Sequence, residues 1–133
     1  MALSFIVIDE SELDCFIARK VIQQVDKNLI VNVFQSAQLA LDSIRENRIS
    51  RGYVTIILLD IQMPVMNGFE FVEEFEKLPV EIRNRYKICV LSCTRNASDI
   101  SRIMAYETVI SMLEKPLIKA DISLLITHLA SGE

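Results

Sequence analysis

Apolar residues in this chain gather into five short runs, Phe5 to Ile8, Ile30 to Phe34, Val54 to Leu59, Lys87 to Leu91 and Val109 to Leu113, and between the runs they recur at helical spacing. The runs are nearly continuous in Val, Ile and Leu instead of alternating apolar with polar. A strand reads that way when both faces of its sheet are covered. The intervening stripes predict the helices that cover it. In the first, Leu13, Ile17, Val21 and Val25 repeat every fourth residue with Phe16 beside them, and Ser11 stands where an N-cap belongs. Later stripes are Leu39, Leu41 and Ile44; Phe71, Val72, Phe75 and Leu78; Ile100, Ile103 and Met104; and Ile122, Leu125, Ile126 and Leu129. Strand and helix alternate five times, which predicts a doubly wound α/β domain on a five-stranded parallel sheet.

That architecture places ligand sites outside the carboxyl ends of the strands, at the switch point of the winding. The residues just past the runs are Asp9 and Glu10 after the first, Asp60 after the third, Ser92 after the fourth, and Glu114, Lys115 and Pro116 after the fifth. Carboxylates brought together in a low dielectric repel and raise one another's pKa, so such a cluster makes sense where a cation belongs. Oxygen donors without thiolate or imidazole point to Mg²⁺, which keeps several waters and takes one or two carboxylates plus a phosphate oxygen. Taken singly, an acid at a strand end is ordinarily a solvated terminus or a cap, Ser92 a turn residue and Lys115 a surface charge. Their joint occurrence on the one edge where this fold binds ligands outweighs those readings.

These residues resemble the response-regulator receiver domain of two-component signalling, over essentially the whole chain. "FIVIDES" is similar to that family's first strand and acid pair, "LLDIQMPVMNG" to the strand and loop carrying its phospho-accepting aspartate, "VLSCT" to its hydroxyl strand, and "LEKP" to its Lys-Pro turn. The resemblance implies a CheY-like, flavodoxin-like (βα)5 fold with strand order 2-1-3-4-5. It further implies that Asp60 takes a phosphoryl group from a histidine kinase or phosphotransfer protein. Glu10 and Asp60 would ligate Mg²⁺, with Asp9 acting through water and the backbone carbonyl of Gln62 completing the set. Lys115 would pair with Asp60 and then with the phosphoryl oxygens, and the Ser92 hydroxyl would bind one of those oxygens. The side chains of Gln62 and Thr94 would flank the path of the water that removes the phosphoryl group, and Pro116 would follow a cis peptide.

The chain departs from the family's usual pattern at several positions. Glu10 stands where Asp is common, Ser92 where Thr is common, and Cys93 where a small residue is usual. Met112, three before Lys115, replaces a frequent aromatic switch residue. Signal output is expected through the face of the fourth helix, fifth strand and fifth helix, with Ile103, Met104, Tyr106 and Met112 on it, toward a downstream protein partner.

With 133 residues and 51% apolar content, the chain supports one domain with a real core. A single receiver domain over 1–133 with no output domain is expected. A net charge of −4 without any basic run argues against nucleic acid as a partner. The opening "MALSFIVIDES" lacks a basic leader, and no apolar stretch approaches the ~18 residues of a membrane span, so a soluble cytoplasmic protein without membrane contact is expected. Cys15, Cys89 and Cys93 form no CxxC pair and read as small apolar residues of a reducing compartment. The function expected is a stand-alone phosphorylatable switch, and not an enzyme beyond its own phosphoryl transfer and autodephosphorylation.

Other readings are weaker. A binding module regulated without phosphate would not need Asp60, Ser92 and Lys115 together. A phosphohydrolase of the haloacid-dehalogenase type would carry a second acid where Gln62 stands. A flavodoxin-like FMN binder would not begin its phosphate loop with "DESELD". His128, on the last helix, reads as a surface residue.

Overall fold

The computed structural model describes residues 2–46, 52–93 and 96–130. In chain order the elements are β1 (Leu3–Ile8), α1 (Glu12–Val25), β2 (Ile30–Phe34), α2 (Ala37–Arg45), β3 (Val54–Asp60), α3 (Gly68–Phe75), α4 (Val80–Arg83), β4 (Tyr86–Ser92), α5 (Ala97–Met104), β5 (Val109–Glu114) and α6 (Lys119–Ala130). The five strands form one parallel sheet in the order β2-β1-β3-β4-β5, as expected.

Side chains alternate across a strand, and here both directions lead into apolar packing. Ile6, Ile8, Ile57, Leu59, Ile88 and Val90 pack on one side of the sheet, against α2, α3 and Ile103 of α5. Phe5, Val7, Ile56, Leu58, Cys89 and Leu91 pack on the other, against α1 and α6. This double coverage is why the runs are continuous. The buried hydroxyls of Ser4 and Thr55 hydrogen-bond to each other across β1 and β3 at 2.8 Å, so that polar pair is satisfied inside the core.

Three expectations are corrected. α1 buries Cys15, Ala18 and Ile22, whereas Leu13 is 66% and Phe16 57% exposed. α2 buries Ala37, Ala40, Leu41 and Ile44, and leaves Leu39 outside. In both, small residues let the helix lie close to the sheet, and the face they define displaces larger apolar side chains toward solvent. The third is a sixth helix. After Leu78, Pro79 starts the single turn α4, whose Ile82 packs on the core, so the expected fourth and fifth helices are α5 and α6. On α5 only Ile103 is fully buried, and Met104 is exposed.

Candidate functional site

Parallel register brings the carboxyl ends of four strands to a common edge. Ile8 pairs with Leu59, Asp60 with Leu91, and Ser92 with Glu114. Asp9 therefore lies beside Asp60, Ser92 one step beyond it, and Lys115 beside Ser92, whose carbonyl accepts the Lys115 backbone N–H at 3.0 Å. The loop after Asp60 is drawn in close. Gly68 donates its N–H to the Ile61 carbonyl at 2.8 Å, and a Cβ at this position would stand 2.7 Å from the Ile61 Cα and 3.1 Å from the Asp60 carbonyl oxygen. Only glycine fits. Asn67 caps α3 in a reciprocal box with Glu70, which fixes where that loop ends.

The side chains converge on Lys115. Its ammonium donates to Asp9 Oδ2 at 2.7 Å and to Asp14 Oδ2 at 2.9 Å, and lies 3.7 Å from Asp60 Oδ2. The second Asp9 oxygen accepts the Ser11 N–H at 2.9 Å, and Asp60 Oδ1 accepts the Gln62 N–H at 3.2 Å. Three carboxylates thus face one ammonium. Burial raises the Asp60 carboxyl to about 6; Lys115 lowers it, and Asp9 and Asp14 add repulsion that raises it. For Lys115, burial opposes the charged form, but its bonds to Asp9 and Asp14 and the nearby Asp60 outweigh it and raise the pKa.

Of the expected site residues, Asp9, Asp60 and Ser92 are buried at the strand ends, and Lys115 stands among the acids. Pro116 follows a cis peptide, as expected. Lys115 lies nearer Asp9 and Asp14 than Asp60, the partner expected for it. The Glu10 residue is exposed; its backbone carbonyl accepts from Gln35 Nε2, and its carboxylate is not among the partners of Lys115. Gln62 is exposed as well, while Thr94 lies outside the described residues. Met112 is half-buried on the α3 and α5 side of the sheet. Tyr106 is half-buried and donates its hydroxyl to Glu73 of α3, and that carboxylate raises the phenol's pKa.

Sequence reading missed Asp14. With Ala18 and Ile22 on the buried stripe, Asp14 lies one turn before Ala18 on that same side and so reaches the strand ends. Leu13 and Ile17, the more apolar pair, mark a different face of α1 from the one that Cys15, Ala18 and Ile22 bury. Asp14, Ile17, Leu91, Cys93, Lys115 and Pro116 contribute to the walls of a cleft of about 280 Å³. Cys15 and Cys89 are buried, and burial pushes both thiols up to about 11, so they act as small core residues; Cys93 is exposed.

Among the described residues, no three His, Cys, Asp or Glu side chains form a ready-made metal cage. The donor chemistry nevertheless suits a hard cation. The acids outnumber the ammonium three to one, and Asp60 carries charge that burial disfavours. Between β5 and α6, Ile110, Ser111, Leu113, Leu124, Leu125 and His128 take part in lining a groove of about 260 Å³. No helix among the described residues is long and apolar enough to cross a membrane.

A family model described as the response regulator receiver domain matches residues 5–127. The crystal structure of a response regulator receiver protein from Dyadobacter fermentans is 35% identical, with a TM-score of 0.84, covering 96% of this chain and 97% of that one. A two-component response regulator from Cytophaga hutchinsonii shares the fold with a TM-score of 0.86 at 23% identity, covering 98% of each chain. A protein-glutamate methylesterase/protein-glutamine glutaminase from Desulfotalea psychrophila is 31% identical over 77 residues, 58% of this chain and 20% of that protein. The chain therefore spans about a fifth of the length of the curated relatives it matches.

Proposed function

The chain belongs to the response regulator receiver domain family, and from that premise we propose that it is a phosphorylatable signalling switch whose Asp60 accepts a phosphoryl group from a phosphohistidine donor. The donor would be a histidine kinase or a phosphotransfer protein, in the cytoplasm. The observation that carries this reading is the company Asp60 keeps: a nucleophilic carboxylate at a strand end, 3.7 Å from an ammonium and beside the buried hydroxyl residue Ser92.

Phosphoryl transfer needs an in-line nucleophile and charge stabilisation on the equatorial oxygens, and little covalent chemistry besides. An Asp60 oxygen forms the new O–P bond as the donor's bond to phosphorus breaks and the donor leaves with the bonding pair. Lys115 pairs with the phosphoryl oxygens, and the Ser92 hydroxyl donates to one of them. Asp9, Glu10, Asp60 and the Gln62 carbonyl are the groups that would hold Mg²⁺, which supplies neutralising charge between the acids and the arriving phosphate. Pulling Ser92 and Lys115 toward the phosphoryl group alters the ends of β4 and β5, and the α5, β5 and α6 face carries that change to a downstream protein partner.

Incubation with acetyl phosphate and Mg²⁺, read by intact mass, tests the reading. One phosphoryl group is expected, with none in D60N and none in excess chelator. Undiminished labelling in either would overturn it.

A further inference from the structure

Asp14 belongs to the Lys115 cluster, yet the phosphoryl chemistry proposed above gives it no part. We propose that Asp14 is a positioning residue, which holds the Lys115 ammonium on the α1 side of the cleft and thereby restrains phosphorylation of Asp60. This inference rests on the reading of Asp60 as the phosphoryl acceptor.

Lys115 has three N–H donors. One goes to Asp9 at 2.7 Å and one to Asp14 at 2.9 Å, whereas Asp60 at 3.7 Å lies beyond a direct hydrogen bond. To meet oxygens of a phosphoryl group on Asp60, the ammonium must move toward Asp60. Its third N–H is left for those oxygens, but reaching them lengthens its bonds to Asp9 and Asp14, and the more yielding of the two partners must give way. Asp9 is poorly suited to do so, because its side chain is 3% exposed and its other oxygen is already committed to the Ser11 N–H. The Asp14 side chain is 39% exposed, so water can replace the ammonium there.

The backbone fixes Asp14 for this task. Its N–H bonds to the Ser11 hydroxyl at 3.1 Å, which sets the first turn of α1 against the strand ends. Its charge acts on Asp60 directly only as the least of the influences on that carboxyl, so its main effect runs through the ammonium.

The test is the rate at which acetyl phosphate labels Asp60 at fixed Mg²⁺. In this step an Asp60 oxygen bonds to phosphorus while the bond from phosphorus to acetate breaks, and acetate departs with the electron pair. The D14N variant should label about fivefold faster at low ionic strength, the scale of a partly exposed ion pair. That advantage should shrink in high salt, and D14E should return the rate toward that of the wild type. With Lys115 removed in K115A, the gain from D14N should disappear.

Labelling of D14N where the wild type labels poorly or not at all supports the inference. Wild-type labelling with no gain in D14N overturns it and leaves the function of Asp60 standing. A gain that persists in K115A also overturns it, since Asp14 would then act by its charge alone. Failure of both the wild type and D14N to label overturns the inference and the proposed function together.

Discussion

Asp60 is an acid held where ionisation costs free energy. Burial, reinforced by Asp9 and Asp14 and opposed by Lys115, raises its carboxyl from an ordinary 3.8 to about 6. A folded-state value above the unfolded one means that the protonated acid favours folding. That contribution is complete below 3.8 and is lost as the pH rises through about 6. Asn cannot ionise. In metal-free buffer at about pH 8, D60N should therefore be more stable than the wild type by about 1–2 kcal/mol, the shift being discounted for water in the cleft. The difference should close below about pH 4, and urea unfolding at both pH values measures it. A gap independent of pH would mean that packing, and not charge, sets it. Gly68 constrains the same site from the other side of its loop. A methyl group there meets backbone, which cannot swing away as a side chain would, so G68A should cost about 1–3 kcal/mol in the same measurement. A neutral result would show that the loop can retreat from Asp60.

At the scale of elements, α5 and β5 are joined both to the site and to a neighbouring helix. Lys115, whose backbone N–H bonds to Ser92 at the end of β4, lies 3.7 Å from Asp60, while Tyr106 bonds to Glu73 and Arg102 lies 3.9 Å from the Phe69 ring centroid, tying this region to α3. A ligand shifts a population only through contacts that differ between states, and on the proposed function Ser92 and Lys115 are the groups that would feel a phosphoryl mimic. Beryllofluoride with Mg²⁺ should therefore change amide exchange most in α5 and β5 and much less in α1. The S92A variant should blunt the change. Exchange altered mainly in α1 and α2 would place the output elsewhere. The same elements show what a sequence discloses. The central strands β1, β3 and β4 are buried on both faces and the edge strands β2 and β5 are half-buried against the same clusters, so all five leave apolar runs that a sequence discloses. Helix faces were harder, because Cys15, Ala18, Ala37 and Ala40 decide them by being small, while Leu13, Phe16 and Leu39 look more apolar and lie outside. Asp14 was lost with the face of α1, and α4 was missed because a single turn leaves no periodicity.

For the whole molecule, one sheet organises both stability and chemistry. Two apolar clusters hold it from either side, and its parallel register delivers Asp9, Asp60, Ser92 and Lys115 to a single edge. That gathering was legible because parallel strands end together, so chemistry-bearing residues after each run had to meet. How the ammonium is shared among the three acids was not legible, since it depends on distances that no spacing encodes. On the proposed function, the acid at the middle of this edge becomes an acyl phosphate. Borohydride reduces an aspartyl phosphate to homoserine, which peptide mass spectrometry assigns to one residue. After treatment with acetyl phosphate and Mg²⁺, homoserine is expected at position 60, and none without the metal. Phosphate found instead on Asp9, Glu10, Asp14 or His128, with Asp60 unmodified, would contradict that function.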